Sequence, residues 1–333
     1  MVGFDVLQQQ VNLIRRFLSN AQTPDSAITL VGVAQADNYP SKPITIIIPF
    51  GAGGSHDMNA RVFTSIIPQY LGQAMIVKLM PGASGQKATA YATKAKADGY
   101  TLLFTHNFVD QLQPHTENLS YQPLKDLVSV VQLNDSAPLL WVRADKPWKT
   151  LKEMLDYGRA NPGKLKFSNS GKWGASFTAG AMIFTKAGVQ AKFMPYKGGG
   201  PSKRAVLAGD ADFTFGRPST VMGQARAGKV RVLAVGGTKP MKILPGVPVL
   251  NDMGYGGSGN IMQRILLAQK GIPADRLKTL QDAFGKLQND KTYKKLMKSL
   301  GENRNMVMGP AYDKLRVTQS KKYLKLVKGL TGS

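Results

Sequence analysis

Three stretches of this chain concentrate glycine with small hydroxyl residues: GAGGSHD over 51–57, SNSGKWGAS over 168–176 and YKGGGPSKR over 196–204. Glycine lets successive main-chain N–H groups turn toward a ligand, and such groups at the head of a helix form an anion site without a dedicated cation. In the first stretch, Ser55 and the N–H groups of Gly53, Gly54 and His56 can hydrogen-bond a carboxylate, each charge-assisted contact contributing on the order of 1.5–3 kcal/mol. Phe50 leads into this loop. Asp57 repels an anion when ionised and reads equally as an N-cap or a latch to the loop backbone. Ser170, Gly171, Gly174, Ala175 and Ser176 repeat the arrangement in the second stretch. Trp173 in that loop either stacks on a bulky acid or packs beneath the turn, and Tyr196 in the third either offers its hydroxyl to a cleft or packs at a hinge.

Enzymatic chemistry finds little support. The three histidines, His56, His106 and His115, stand at no metal-ligand spacing, and no serine occupies a GxSxG elbow. Neighbouring side chains such as His56 and Asp57 diverge, which makes a poor dyad. GAGGSHD lacks the GK[ST] ending of a phosphate loop, and the absence of cysteine excludes thiolate nucleophiles, disulfides and Cys-ligated metals. The expectation is a binding protein with no catalytic residue, no metal and no cofactor.

A formal charge of +24 raises the question of nucleic acid. Residues 271–333 carry 14 Lys or Arg against 5 Asp or Glu, yet the basic residues alternate with apolar ones at helical spacing: Leu277, Leu280, Phe284 and Leu287, then Tyr293, Leu296, Met297 and Leu300. These are solvated faces of amphipathic helices, unaccompanied by any nucleic-acid-binding motif. The field better suits attraction of anionic solutes or a membrane surface.

The elements that must position the loops alternate as in βαβ units. The unbroken apolar run at Ile44–Pro49 predicts a strand buried on both faces, followed by a helix from about Asp57 to Leu71 that Pro68 should kink. Strands at 75–79 and 101–105 flank a helix reaching Lys96. A second set follows Trp141: helix 151–161, strand 165–169, helix 178–188, strand 191–195, a helix to Leu207, and strands 212–215 and 231–235. Ligands in open α/β sheets bind outside the carboxyl ends of the strands, so two such domains facing one another would enclose a cleft. Before them, Arg15-Arg16, the apolar Ala27–Val33 and Ala34-Gln35-Ala36 follow the order of a secretory signal, interrupted by Pro24 and Asp25.

The segments YPSKPITIIIPFGAGGSHDMNAR, PGASG, DGYTLLF, YQPLKDL, NPGKLKFSNSG, MPYKGGGP, LAGDADF, AGKVRVLAV and LPGVPVLNDMGY, in this order, resemble the receptors of tripartite tricarboxylate transporters, the Bug-type solute receptors. The resemblance runs from about Asn38 to the C-terminus. It implies an α/β, two-domain clamshell of the periplasmic-binding-protein type (type II-like), with two interdomain crossings and a C-terminal helix returning to the second domain. The expected boundaries are a signal-like segment at 1–40, a first domain of 41–142 plus 258–300, and a second of 143–257 plus 301–330. The implied role is capture of a small organic mono-, di- or tricarboxylate in the periplasm by a monomer that hands it to membrane transporter subunits. A ligand-sensing subunit for a membrane signalling partner is the alternative.

Set beside that family, three places in this chain depart from pattern. Trp173 stands where a small residue is usual and Phe177 where histidine is common. Thr105, His106 and Asn107, followed by Phe108, replace small polar residues at a strand end. Gly216-Arg217 exchanges a negative group for a positive one, and an inward Arg217 would clamp a carboxylate bidentately.

Overall fold

The apolar run at Ile44–Ile48 forms β1, buried apart from the partly exposed Thr45, and continues through the first glycine loop into α1, Ser55–Thr64. The expected long helix stops there, because Pro68 opens a separate single turn, Pro68–Leu71, from its first position. The chain goes on through β2 (Met75–Leu79), α2 (Gln86–Thr93) and β3 (Thr101–His106), then a π-helical turn at Phe108–Leu112, β4 (Leu127–Ser136) and β5 (Leu139–Arg143). Next come α3 (Leu151–Ala160), whose first turn is capped by the Thr150 hydroxyl, β6 (Lys166–Asn169), α4 (Ala175–Ala187), β7 (Lys192–Pro195) and α5 (Gly199–Ala208). The remainder comprises β8 (Phe213–Gly216), α6 (Pro218–Arg226), β9 (Val230–Val235), β10 (Met262–Gln269), α7 (Ala274–Asn289), α8 (Lys291–Ser299), β11 (Val307–Met308) and α9 (Gly309–Thr331). This computed structural model describes residues 38–256 and 261–331, and the signal-like segment therefore lies almost wholly outside the described residues.

The strands form two mixed sheets, ordered β11-β4-β10-β3-β1-β2 and β7-β6-β8-β5-β9. In the first, β1 pairs in parallel with β2 and β3, while β10 runs antiparallel between β3 and β4. In the second, β6 is parallel to β7 and β8, and β5 lies antiparallel between β8 and β9. Each sheet has its own apolar cluster: Ile44, Ile46, Ile48, Phe63, Phe104 and Phe284 anchor the first lobe, and Leu140, Phe167, Phe184 and Phe213 the second. The amphipathic helices α7 and α8 bury the stripe read from the sequence, with Leu280, Phe284, Leu287, Tyr293 and Met297 inside.

The chain passes from the first sheet to the second between β4 and β5, at Ala137-Pro138, and returns between β9 and β10. The C-terminal segment differs from expectation. Its main contacts are with the first lobe: β11 pairs with β4, and α9 packs on β4 and on the turn at Phe108–Leu112, while Val327 near its end shares an apolar cluster with Trp173 and Ala175 of the second lobe. The physical reason is a buried charge: Arg316 is almost wholly enclosed and donates to both oxygens of Asp110, at 2.9 and 2.6 Å, as well as to Asp313 at 2.8 Å. A buried guanidinium separated from its carboxylates is heavily destabilising, which ties this helix to the lobe that carries Asp110.

Candidate functional site

The carboxyl ends of β1, β3, β6 and β8 converge on a cavity of about 40 Å³ between the lobes. Gly54, Ser55 and His56 reach it from the head of α1, and Ser170, Ala175 and Ser176 from the head of α4. Among the described residues no side chain caps either helix, so the N–H groups of both first turns and the positive ends of both helix dipoles are available there. Ser176 Oγ accepts from the Ser170 N–H and lies 2.8 Å from Ser170 Oγ, which holds the loop against its own helix.

Two donors in the lining lack an acceptor among the described residues. Arg217 is only 5% exposed; its Nη1 donates to the Ser136 carbonyl at 2.8 Å, and its Nη2 is buried with no hydrogen-bond partner. The indole N–H of Trp141, on β5, is likewise buried and unpartnered. An unmade bond to a buried donor costs about 1–3 kcal/mol, more when the donor is charged, so two in one cavity define a place for an acceptor. Burial, with repulsion from Arg264 second, brings the Arg217 guanidinium down to about 9, still charged at neutral pH, while Glu302 opposes the shift.

Lys203 adds a second cation to the lining, its pKa lowered by burial and by Arg204, whereas the two histidines add no net charge. His106 is pushed down to about 3 by burial and by Arg217 and Arg264, and His56 well below its ordinary value by burial and by His106. Both rings are therefore neutral. His56 Nε2 donates to the Thr105 carbonyl at 3.1 Å, and His106 Nδ1 accepts weakly from the Val109 N–H at 3.4 Å, leaving the His106 proton on Nε2. Phe50 stacks on His106 at 5.0 Å and tilts against His56 at 4.7 Å, giving the cavity an aromatic wall. Arg264 and Glu302 are both fully buried and form a bidentate pair at 3.0 and 3.2 Å. Burial opposes ionisation of Glu302, but Arg264 and the hydrogen bonds from Arg264 and Ser219 outweigh it and hold the carboxyl below its usual range. Because Ser219 belongs to the second lobe and Arg264 to the first, this pair also ties the lobes together, with the Ser219 hydroxyl 2.5 Å from Glu302.

Main chain meets main chain at the rim. The Gly51 N–H donates to the Lys197 carbonyl at 2.9 Å, and Gly200 packs so closely that a Cβ there would lie 2.2 Å from the Ala52 oxygen. Beside the cavity, sharing Phe50 and Ser170 with it, a wider crevice of about 470 Å³ runs between the PGASG turn and Tyr196.

The residues singled out from the sequence divide accordingly. Phe50, Gly54, Ser55, His56, His106, Ser170, Ala175, Ser176 and Arg217 line the cavity, and Gly171 and Tyr196 line the adjoining crevice. Gly53, Asp57, Thr105, Asn107, Trp173 and Gly174 line neither. Asp57 accepts from the Gly53 N–H at 2.9 Å and pairs with Arg61, so its carboxylate is a latch of the loop. The Gly174 N–H closes the turn onto the Gly171 carbonyl. Thr105 gives its carbonyl to His56, and Asn107 is held by Ile261, Gln263 and Tyr323. Trp173, with a positive φ of 55°, packs among Phe108, Leu112, Met262 and Val327, bridging the lobes behind the site rather than facing a ligand. Sequence reading missed Trp141, Lys203, Thr214, Thr220 and Met262 in the lining. Lys203, three residues beyond the glycines in a loop already marked, carried a signal; a tryptophan inside an apolar strand carried none.

Two α/β lobes, two crossings and a closed interlobe cavity lined by helix heads define a solute-binding receptor of the periplasmic-binding-protein class. The chain belongs to the tripartite tricarboxylate transporter receptor family, whose model matches residues 59–331. It is 34% identical over 264 residues to the "UPF0065 protein in gbd 5'region" of Cupriavidus necator, covering 78% of this chain and 79% of that one. To Protein BugT of Bordetella pertussis it is 30% identical over 236 residues, 68% of this chain and 72% of the relative. The solved periplasmic binding protein BugD superposes with a TM-score of 0.84 at 27% identity, covering 88% of this chain and 98% of BugD. MatC from Rhodopseudomonas palustris, solved with bound malate, shares the fold at a TM-score of 0.82 and 24% identity, over 87% of this chain and all of MatC. The family is one of transporter receptors, and BugD is a periplasmic binding protein.

Proposed function

We propose that this protein is an extracytoplasmic receptor, acting as a monomer, that captures a small organic carboxylate between its lobes and delivers it to the membrane subunits of a tripartite tricarboxylate transporter. The observation that carries the reading is the pair of buried, unpartnered donors, Arg217 Nη2 and Trp141 Nε1, in a cavity that the uncapped heads of α1 and α4 also line. A carboxylate supplies the missing acceptors and the missing negative charge together. Its head group fits the small cavity and its body the adjoining crevice, past Phe50 and Ser170. Membership of the receptor family supports the transport role and a periplasmic location.

A thermal-shift panel of mono-, di- and tricarboxylates, with sugars and amines as controls, tests this. An acid that binds the closed form raises stability by about 2.7 kcal/mol at a hundred times its dissociation constant. Shifts with sugars or amines and none with any carboxylate would refute the anion reading.

A further inference from the structure

On the far side of Arg217 a second concavity opens, of about 1760 Å³ and much larger than the ligand cavity. The wall between the two is one residue thick along the chain. Arg217 lines the ligand cavity, Pro218 lines the groove, and Ser219 is hydrogen-bonded to Glu302, which also lines the groove. Asp135–Ala137, Gly236 and Gly237 bring both sides of the hinge to its floor. Lys239 and Lys242 enter from the second lobe, and Lys294, Lys295, Lys298 and Arg304 from the first. Not one of these cations makes an ion pair among the described residues. The acidic side chains in the lining are already engaged: Glu302 by Arg264, Asp135 by Asn303 and Asn305.

We propose that this groove is a docking site for an acidic, aliphatic-bearing segment of a partner protein, which lies across the hinge and touches both lobes at once. The charge calls for a polyanion, and the shape and lining select the kind. A flat bilayer surface meets the rim of a concavity rather than its lining, and single-stranded nucleic acid is gripped through stacking on aromatic rings, of which the described lining has none. What the groove offers besides cations is an aliphatic wall, Met241, Ile243 and Ile261, suited to the apolar side of an amphipathic polypeptide. The cations sit on two lobes joined by two crossings, so a rotation of one lobe against the other would change their separation, and a segment bridging them would distinguish closed receptor from open. Nothing in this inference requires the cargo to be a carboxylate.

The test uses the full chain and a fluorescein-labelled peptide of alternating glutamate and leucine, read by anisotropy at two salt concentrations. The triple variant Lys294→Glu, Lys295→Glu, Lys298→Glu is compared with Lys321→Glu, Lys322→Glu, Lys325→Glu, which makes the same change in net charge on exposed positions of α9. The groove variant should lose at least about tenfold in affinity and the α9 variant less than about threefold, since only close charge pairs couple strongly. Equal losses, or none, overturn the proposal. Replacing the same three groove lysines by glutamine gives a smaller loss in the same direction if the charges act locally; if far-ultraviolet circular dichroism shows the glutamate variant misfolded, the glutamine variant decides. Gly200→Ala, which holds the lobes apart, should change the peptide affinity by about threefold or more, and an unchanged value overturns the claim that the segment bridges both lobes. Preference for a single-stranded oligonucleotide or an anionic vesicle over the peptide overturns the assignment of a protein partner.

Discussion

Replacing Arg217 by methionine should make the empty receptor more stable and the receptor's grip on its cargo much weaker. The guanidinium is fully enclosed, and burial together with Arg264 brings it down to about 9. That is several pH units below arginine's ordinary range, and at about 1.4 kcal/mol each the charged side chain carries a handicap on the order of 4–5 kcal/mol in the empty cavity. The bond from Nη1 to the Ser136 carbonyl returns on the order of 1.5–3 kcal/mol. Methionine keeps much of the length and apolar contact of the stem while removing both terms, for a net gain on the order of 1–3 kcal/mol, within the range seen when buried charges are replaced by apolar groups. At roughly 2–4 °C per kcal/mol for a chain of this size, thermal unfolding followed by circular dichroism should rise by several degrees. Titration calorimetry with the best acid from the thermal-shift panel should show the opposite trend, a loss on the order of 2–4 kcal/mol, or about thirtyfold to a thousandfold in Kd. An empty variant that melts lower than the parent, or an acid affinity within about threefold of it, would refute the assignment of Nη2 as the carboxylate's partner.

Trp141→Phe removes the second unpartnered donor, so acid affinity should fall by roughly fivefold with little change in the melting temperature of the empty protein, measured by the same calorimetry and circular dichroism. Gly200→Ala places a Cβ 2.2 Å from the Ala52 oxygen, which main chain cannot evade without opening the lobes; small-angle scattering should report a larger radius of gyration and calorimetry a weaker acid, while an unchanged radius in the presence of acid would contradict the closed geometry. Acid stability should follow the histidines. The unfolded-state value is about 6.5 and the folded value for His106 about 3, so the stability present above pH 6.5 is lost as pH falls toward 3, at up to about 1.4 kcal/mol per pH unit. His106→Asn should therefore show a smaller drop in urea midpoint between pH 7 and pH 4 than the parent, and an equal drop would show that His106 is not held neutral.

Much of the scaffold was legible because it depends on short-range rules. The β1 run with its glycine loop, the strand at Met75–Leu79 and the apolar stripes of α7 and α8 follow from local pattern and appear where pattern puts them. The return of α9 was not legible, since it hangs on Arg316 reaching Asp110 across 206 positions of sequence. Nor did spacing reveal that Trp173 would turn away from the cleft. Its positive φ follows Gly171, which at φ 112° packs where a side chain would meet Ser84 of the opposite lobe.

What the sequence determined by itself is the supply of parts: main-chain amides freed by glycine at strand ends, helices beginning directly after them, and a cysteine-free chain without nucleophile or metal spacing. Tertiary structure decided which of those parts share one cavity and what charge they present there. A glycine's freedom is a property of the residue, whereas the state of Arg217, His56 and His106 is set by burial, by their charges on one another and by Arg264, brought beside them from another strand. Desolvation and Coulomb interaction depend on distance in space, and distance in space exists only once both lobes have folded and met.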